Sequence, residues 1–240
     1  MDISKIKLIA FDLDGTLTQH KSKLGDENRK VLDKLSEKYK LLMAGAGTCV
    51  RIFEQMGRYP IDIIGNYGMQ YAEYDEVSHD IVIKKDVKLG VNREETERKI
   101  TALREKYGFT DFAGDNTEYH ASGCVTFPLL GTKANLADKL AFDPDRVKRR
   151  VFYSDVKEIF SEYTVFIGGS SSFDMAPKPY DKAYALSEYC KEKGILHSEV
   201  VYVGDDYGEG GNDESVYLSD FNFVKIDDYK TLPEKLAFLL

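Results

Sequence analysis

The stretch Ile6-Lys7-Leu8-Ile9-Ala10-Phe11-Asp12-Leu13-Asp14-Gly15-Thr16 decides the fold of this chain. Its first six residues are mostly apolar and are typical of a buried strand, which we expect to end at Asp12. Because side chains alternate along a strand, Asp12 and Asp14 point to the same side where the strand ends. Two carboxylates at such a short distance repel each other unless a cation or a proton lies between them. An Asp-Gly pair is also common in simple turns, so this stretch alone leaves both interpretations open.

Strand and helix patterns alternate on both sides of the middle of the chain. After the first strand, apolar runs predict strands at residues 41–44 and 61–64, and helical spacing predicts helices at residues 26–39 and 49–56. The same alternation returns late in the chain, with strands at Thr164–Ile167 and Val200–Val203 and helices at Lys182–Lys193 and Leu232–Leu240. The pattern predicts an α/β fold with a Rossmann-like, doubly wound parallel sheet, in which ligands bind beyond the carboxyl ends of the strands.

The middle of the chain follows a different pattern. It contains a highly charged helix at Arg93–Tyr107, a strand-like segment at Cys124–Phe127 and a second charged helix around Asn135–Leu140. We interpret this region as a separate α+β insertion. The sequence therefore predicts a catalytic core formed by residues 1–80 and 163–240, with an inserted cap domain at residues 81–162.

Composition limits the possible partners. The chain has 240 residues, with 33 Lys and Arg against 41 Asp and Glu, and a net charge of −8. This acidic balance argues against nucleic-acid binding, which needs clustered Lys and Arg. No apolar run of about 18 residues predicts a membrane helix, and the start of the chain shows no signal-peptide pattern. Cys49, Cys124 and Cys190 are widely spaced, so we expect reduced thiols and a cytoplasmic protein. The sequence does not indicate the oligomeric state.

A second acidic motif follows the late strand. Gly204-Asp205-Asp206 ends that strand, and Gly210-Gly211-Asn212-Asp213 comes shortly after it. Oxygen ligands with no Cys or His cluster nearby favour magnesium over zinc. The alternative is a solvated acidic loop before a helix, which is plausible for Asp206 and weak for Asp205.

Two further positions could face an anion. Lys182 falls in the first turn of a predicted helix, where a cation is unfavourable unless an anionic partner is present, although most helix lysines are simply solvated. Thr48 follows Gly45-Ala46-Gly47 at a strand end, where its hydroxyl could hold phosphate oxygens. An ordinary helix N-cap explains Thr48 equally well.

The order of these motifs resembles that of the haloacid dehalogenase-like (HAD) superfamily of phosphotransferases. That superfamily has a strand ending in DxDGT, a Ser or Thr after the second strand, a downstream Lys, and a late GD followed by ND. The inserted cap resembles that of the Cof-type (type IIB) branch. Within that branch the chain is most similar to eukaryotic-type phosphomannomutases, through residues 11–18 (FDLDGTLT), 168–182 (GGSSSFDMAPKPYDK) and 204–213 (GDDYGEGGND).

The resemblance implies a role for each matched residue. Asp12 would be the nucleophile that carries a transient phosphoryl group, and Asp14 the general acid and base. Lys182 would neutralise phosphoryl oxygens beside Asp12, with Thr48 as a further catalytic residue. Substrate contacts would come from Gly47, Thr48, Ser172, Asp174 and the cap residue Lys133. Mg²⁺ would be held by Asp12, Asp14, Asp205, Asn212 and Asp213.

The chain differs from the resembled family at positions that decide between a mutase and a phosphatase. A mutase needs a second phosphate site, which the resembled family builds from arginines because their planar fork grips phosphate. Alignment puts those arginines at Ala121, Thr132, Lys139 and Lys21, so none keeps its guanidinium. Lys133 could substitute only as a point charge, and each lost contact would remove about 1.5–3 kcal/mol. The family's second-motif serine falls at Gly47, one position before Thr48.

From these departures we expect a Mg²⁺-dependent phosphatase that hydrolyses a phosphorylated sugar or similar metabolite through an aspartyl-phosphate. The alternative is a phosphomannomutase, which interconverts mannose 1-phosphate and mannose 6-phosphate. A receiver-like signalling module is disfavoured because such domains have about half this length and no cap. A generic small-molecule binding protein would require several strand-end motifs to coincide by chance. The specific substrate is not identified by the sequence.

Overall fold

Strand β1 (Leu8–Phe11) lies inside a seven-stranded sheet in the computed structural model, which describes residues 1–240. The chain divides into two units. The first contains Met1–Val87, Asp181–Glu209 and Asp213–Leu240, and the second contains Lys88–Tyr180 and Gly210–Asn212. The predicted α/β fold class, with a parallel-sheet core, is confirmed.

The first unit is built on the seven-stranded sheet, with strand order β11-β10-β1-β2-β3-β4-β5. The five strands from β11 to β3 in this order run parallel, and β4 and β5 are added as an antiparallel hairpin. The strands of this unit are β1 (Leu8–Phe11), β2 (Lys40–Ala44), β3 (Asp62–Gly65), β4 (Gln70–Asp75), β5 (Asp80–Asp86), β10 (Val200–Gly204) and β11 (Asn222–Lys225). Its helices are α1 (Asp26–Ser36), α2 (Cys49–Gln55), α7 (Lys182–Lys193), α8 (Glu214–Tyr217) and α9 (Leu232–Lys235).

Both faces of the central parallel strands β10, β1, β2 and β3 are buried, as expected where helices cover a parallel sheet on each side. Along β1, Ile9 and Phe11 join one hydrophobic cluster, whereas Leu8 and Ala10 join the other. Helices α1, α2 and α9 contribute apolar side chains to the first cluster, and α7 and α8 contribute to the second. With both faces covered, the carboxyl ends of the strands are left to carry the polar residues.

The second unit has a four-stranded antiparallel sheet of its own, with strand order β6-β7-β9-β8. One face of this sheet packs on helices through an aromatic cluster that includes Phe127, Phe152 and Phe173. Its strands are β6 (Glu118–Tyr119), β7 (Val125–Pro128), β8 (Tyr163–Phe166) and β9 (Ser172–Pro177), and its helices are α3 (Arg93–Tyr107), α4 (Leu136–Phe142), α5 (Val147–Arg150) and α6 (Tyr153–Ile159).

Two features of the sequence-based layout need correction. The apolar run Thr164–Ile167 does not return to the core sheet, because β8 pairs antiparallel with β9 and β9 pairs with β7. The unit boundaries therefore lie at residues 87/88 and 180/181 rather than 80/81 and 162/163. The predicted helix at Leu232–Leu240 is also divided into α9 and a short 3-10 turn at Ala237–Leu239. None of the helices combines the length and apolar character that spanning a membrane requires.

Candidate active site

Three carboxylates meet at the carboxyl edge of the core sheet. Asp12 follows β1 and Asp205 follows β10, which is the parallel neighbour of β1, so the two strand ends coincide. Asp213 immediately precedes α8. One carboxylate oxygen from each of the three residues lies within 4.8 Å of the other two. The structure thus brings together three of the residues that the strand-end motifs single out.

Lys182 joins this cluster from the first position of α7. Its Nζ lies 2.5 Å from Asp12 Oδ1 and 2.7 Å from Asp213 Oδ1, and the side chain has no appreciable exposure. Burial alone would lower the pKa of Lys182, but the Asp12 and Asp213 carboxylates raise it overall. The lysine therefore stays charged, and it faces the anionic partners that its place in a first helical turn led us to expect.

Burial has the opposite effect on the carboxylates. It raises the pKa of Asp12 well above its usual range, and the Asp213 and Asp205 carboxylates raise it further, whereas Lys182 opposes the shift. Burial also raises the pKa of Asp205. Ionising three neighbouring carboxylates beside one lysine leaves an excess of negative charge. The set of donors, all oxygens with no His or Cys, fits a hard divalent cation such as Mg²⁺.

Asp205 is positioned by the turn that follows β1. Thr16 Oγ1 donates a hydrogen bond to Asp205 Oδ1 at 2.8 Å. Gly15 has a φ of 105°, and a Cβ at that position would lie 2.3 Å from Asp205 Oδ2. The glycine in DxDGT is therefore required both by its backbone conformation and by the close approach of Asp205.

Asp213 is held by a tyrosine that the motif analysis did not identify. Tyr202, inside β10, donates its hydroxyl hydrogen to Asp213 Oδ1 at 2.6 Å, and the Asp206 N–H donates to Asp213 Oδ2 at 3.0 Å. Burial raises the pKa of Tyr202 well above its usual range, so the hydroxyl keeps its proton. The available signal was a hydroxyl-bearing side chain inside an otherwise apolar strand that ends in an acidic motif.

Asp14 contacts two side chains of helix α2 and the backbone at Lys21. Its Oδ1 accepts hydrogen bonds from Gln55 Nε2 and from the Lys21 N–H, both at 2.7 Å. Its Oδ2 lies 3.5 Å from Arg51 Nη2. Sequence analysis missed Gln55 and Arg51, although their spacing of four residues puts them on one face of α2.

Thr48 serves as the N-cap of α2 in this structure. Its Oγ1 accepts a hydrogen bond from the Arg51 N–H at 3.2 Å, and the residue is exposed. The preceding residue, Gly47, accepts a hydrogen bond from the Asn66 N–H on its carbonyl oxygen at 2.8 Å. The capping interpretation of Thr48 accounts for the contact that its hydroxyl makes here.

The remaining predicted substrate residues belong to the second unit. Asp174, on β9, accepts a hydrogen bond from Thr126 Oγ1 at 2.9 Å, and Thr126 lies 3.0 Å from His120 Nε2. Burial raises the pKa of Asp174. Ser172 Oγ donates to the Gly168 carbonyl at 3.1 Å.

Two other predicted residues, Lys133 and Asn212, also belong to the second unit. Lys133 is exposed, and its backbone N–H bonds to the Ala113 carbonyl at 2.8 Å. Asn212 lies in the segment Gly210–Asn212, which groups with the second unit.

At the four positions where the resembled family has arginines, this chain has one alanine, one threonine and two lysines. Thr132 Oγ1 donates to Asp115 Oδ2 at 3.1 Å, and Lys139 Nζ donates to the Thr132 carbonyl at 3.2 Å. Ala121 and Lys21 are exposed, and Lys21 has a φ of 58°. None of these four positions presents a guanidinium.

Comparison with known proteins identifies the relatives. A family model described as eukaryotic phosphomannomutase matches residues 28–226. A phosphomannomutase of Triticum aestivum is 30% identical over 229 residues, which cover 89% of this chain and 86% of the relative. A phosphomannomutase of Saccharomyces cerevisiae is 25% identical over 224 residues, which cover 89% of this chain and 85% of the relative.

Solved structures show the same fold at lower identity. The IMP-bound, N-terminally truncated IMP-nucleotidase of Plasmodium falciparum has a TM-score of 0.67 and 14% identity, covering 98% of this chain and 68% of its own. A phosphatase of the haloalkanoate superfamily from Bacteroides thetaiotaomicron has a TM-score of 0.62 and 15% identity, covering 98% of this chain and 95% of its own. The chain therefore belongs to the eukaryotic phosphomannomutase family and has a haloacid dehalogenase-like fold.

Proposed function

We propose that this protein transfers phosphoryl groups to and from a phosphorylated hexose through an aspartyl-phosphate on Asp12. The observation that carries the proposal is the placement of Lys182 between Asp12 and Asp213, with Asp205 in the same cluster of carboxylates. A nucleophilic carboxylate beside a buried cation and further oxygen ligands is an arrangement suited to reaction with a phosphate ester.

Each step assigns a role to one side chain. An Asp12 carboxylate oxygen attacks phosphorus, and the bond from phosphorus to the sugar oxygen breaks. Asp14 gives a proton to the leaving oxygen. The oxygen of the incoming hydroxyl then attacks phosphorus while Asp14 takes its proton, and the bond from phosphorus to Asp12 breaks. This acid–base role is typically worth about 10²–10⁴-fold in rate. Lys182 neutralises charge beside Asp12 throughout.

Mg²⁺ would be held by the Asp12 carboxylate, the Asp14 backbone carbonyl and Asp205, with Asp213 in support, and would lower the repulsion between the anionic nucleophile and the anionic phosphate.

Family membership favours the mutase as the first candidate. The family model matches residues 28–226, and the two phosphomannomutase relatives each align along 89% of the chain. We therefore propose that the enzyme interconverts mannose 1-phosphate and mannose 6-phosphate. The missing arginines, taken alone, would instead make the phosphatase the first candidate.

Hydrolysis is the second candidate, and a specific observation favours it. Thr132 and Lys139 stand where the resembled family has arginines, and both are engaged with partners in their own unit. A weak second phosphate site would bind the acceptor sugar phosphate poorly, so that water would take the phosphoryl group from Asp12 instead. The substrate would again be a phosphorylated sugar or similar small metabolite.

Phosphorus NMR distinguishes the two reactions. The protein is incubated with Mg²⁺, mannose 1-phosphate and a hexose 1,6-bisphosphate activator. A mutase gives mannose 6-phosphate without loss of esterified phosphate, whereas a hydrolase gives inorganic phosphate. Asp12→Asn should remove nearly all of either activity. Full activity in Asp12→Asn, or no turnover of any phosphorylated hexose by the unaltered protein, would contradict the proposal.

We also propose that the enzyme works in the cytoplasm on a small molecule, without nucleic-acid or membrane partners. The three cysteines are buried thiols that form no disulfide, which supports a reducing compartment. Burial raises the pKa of Cys49 and of Cys190 to about 12, so these thiols stay protonated and unreactive at neutral pH.

A further inference from the structure

The guanidinium of Arg51 occupies the space that a side chain at position 47 would need. A Cβ built on Gly47 would lie 2.3 Å from Arg51 Nε, 2.5 Å from Nη2 and 2.8 Å from Cζ. Gly47 is not among the glycines with positive φ, so its backbone conformation is open to other residues. A side chain at position 47 would therefore displace the Arg51 guanidinium from its present position.

This guanidinium lies at the catalytic edge of the core sheet. Strand β2 is the parallel neighbour of β1, with Leu42 opposite Ala10 and Met43 opposite Phe11. The segment that contains Gly47 follows β2, just as Asp12 and Asp14 follow β1. The 3.5 Å distance from Arg51 Nη2 to Asp14 Oδ2 places the guanidinium beside the proposed general acid and base.

Arg51 differs from Lys182 in its access to solvent. Lys182 is fully buried and is held by two carboxylates, whereas the Arg51 side chain is 47% exposed. Its 3.5 Å contact with Asp14 is longer than the 2.7–2.9 Å of a well-formed charge-assisted hydrogen bond. A planar guanidinium that solvent reaches, next to the groups that would react with a phosphate ester, can grip two phosphoryl oxygens at once.

We propose that Arg51 binds the transferred phosphoryl group, and that Gly47 keeps the space for its guanidinium. The serine of the resembled family falls at Gly47, so a guanidinium here replaces a hydroxyl. This proposal rests on the phosphoryl-transfer function proposed above and adds a substrate-binding residue to it.

The first test replaces the arginine. Arg51→Ala should lower kcat/KM by about 10- to 100-fold, the range expected when a charge-assisted hydrogen bond to phosphate is lost. Arg51→Lys keeps the charge but loses the planar fork, so its kcat/KM should lie between that of Arg51→Ala and that of the unaltered protein. Arg29→Ala is the matched control, because Arg29 is a surface arginine of the same unit that stacks on Tyr59, and its kcat/KM should equal that of the unaltered protein.

A calorimetric titration with inorganic phosphate, in the presence of Mg²⁺, measures binding without turnover. Arg51→Ala should weaken phosphate binding by about 10-fold or more, and Arg29→Ala should leave it unchanged. Unchanged phosphate affinity in Arg51→Ala overturns the proposal whether or not a substrate has been found.

The second test uses the overlap between a side chain at position 47 and the Arg51 guanidinium. Gly47→Ser should displace the guanidinium and cause a loss comparable to that of Arg51→Ala. In Gly47→Ser/Arg51→Ala the serine has room, so the double variant should be no worse than either single variant. Losses that multiply in the double variant would show that the two residues act independently, and would overturn the proposal.

The outcomes separate this proposal from the function on which it rests. If the unaltered protein turns over a phosphorylated hexose and Arg51→Ala does so equally well, the assignment of Arg51 is wrong and the function stands. If the unaltered protein turns over none, the function is wrong, and the phosphate titration alone decides the assignment of Arg51. Circular dichroism spectra that match the unaltered protein show that each variant has folded.

Discussion

Lys182 lies at the centre of the candidate site, and its charge has two consequences at the scale of a single residue. It separates the Asp12 and Asp213 carboxylates, which would otherwise repel each other in a buried environment. It also supplies a positive charge next to the proposed nucleophile. Removing one member of a buried ion pair leaves its partners without compensation, and this costs more than the pair itself contributes.

Lys182→Met should therefore be both inactive and less stable. We expect its free energy of unfolding to fall by about 3–5 kcal/mol in the absence of Mg²⁺, as measured by urea unfolding. Added Mg²⁺ should raise the melting temperature of this variant more than that of the unaltered protein, because the cation takes over part of the lysine's role. Lys193→Met, at the other end of α7 where Lys193 pairs with Glu73, is the control and should change stability little. A Lys182→Met protein as stable as the unaltered one would contradict the assignment.

Tyr202 gives a second prediction at this scale. Its buried hydroxyl donates to the same Asp213 oxygen that Lys182 contacts. Tyr202→Phe keeps the ring but removes the donor, so we expect a loss of about 1–3 kcal/mol in the free energy of unfolding. Tyr189→Phe, another buried tyrosine of the same unit, serves as the control in parallel urea titrations. Equal stability of Tyr202→Phe and Tyr189→Phe would mean that the hydrogen bond to Asp213 contributes nothing.

At the scale of elements, the sequence predicted helices better than strand partners. Helices Arg93–Tyr107 and Lys182–Lys193 have the predicted bounds because local signals define both ends. Asn92 and Asp181 cap their first turns, and Gly108 and Gly194 end them in the left-handed conformation. Such signals lie within a few residues of the helix and can be read directly.

Strand β8 shows why other elements could not be predicted. Its apolar run looks like any buried strand, and only pairing with β9 reveals that it belongs to the second sheet. The same distinction holds in the site. Motifs at the ends of neighbouring strands pointed to Asp12, Asp205 and Asp213, which the structure brings together. The contacts of Tyr202 with Asp213 and of Arg51 with Asp14 depend on tertiary packing, because each joins residues from different elements.

A buried ion pair in the second unit joins the end of α4 to α5 and, through Arg149, to the segment between β8 and β9. Asp143 Oδ2 accepts hydrogen bonds from Arg149 Nε at 2.8 Å and from the Arg149 N–H at 3.1 Å. Arg149 Nη1 in turn donates to the carbonyls of Gly168 at 2.6 Å and Ser172 at 2.8 Å. The pair therefore fixes the connection between β8 and β9, which leads into Ser172, the first residue of β9.

The titration of Asp143 predicts how this connection responds to pH. Burial alone would raise the pKa of Asp143, but the hydrogen bonds from Arg149 and the backbone lower it overall, below the ordinary value of 3.8. A carboxyl group whose pKa is lower in the folded state stabilises the fold above its unfolded pKa. That contribution is lost as the pH falls through the folded pKa.

Asp143→Asn lacks this titration, so its deficit in unfolding free energy should be largest near neutral pH and should shrink below about pH 4. Thermal unfolding of both proteins between pH 7 and pH 3 measures the difference. A deficit that stays constant or grows towards acid would contradict the lowered pKa of Asp143.

At the scale of the whole molecule, net charge and local charge have different meanings. The chain carries eight more negative than positive charges, yet the proposed substrate is an anion. A few acidic residues gathered at one sheet edge bind a cation in this proposal, and Lys182 and Arg51 add positive charge there. The excess of acidic residues therefore argues against nucleic acid as a partner without excluding a small phosphate ester.

Because a ligand stabilises the unit that binds it, Mg²⁺ should stabilise the first unit more than the second. Each unit has its own sheet and its own hydrophobic cluster or clusters. A ligand at 100 times its dissociation constant stabilises the folded state by about 2.7 kcal/mol, which is about 100-fold in an opening equilibrium. The proposed Mg²⁺ ligands Asp12, Asp205 and Asp213 all belong to the first unit.

Hydrogen exchange followed by mass spectrometry, with and without saturating Mg²⁺, should therefore show a selective effect. Peptides that contain β1, β10 and α7 should exchange up to about 100-fold more slowly with Mg²⁺, whereas peptides that contain β7 and β9 should be unchanged. Asp205→Asn is the control, because loss of a carboxylate ligand should remove most of the slowing. Equal slowing in both units would show that they open together as one cooperative body. No slowing in β1 or β10 would mean that these carboxylates do not bind the cation.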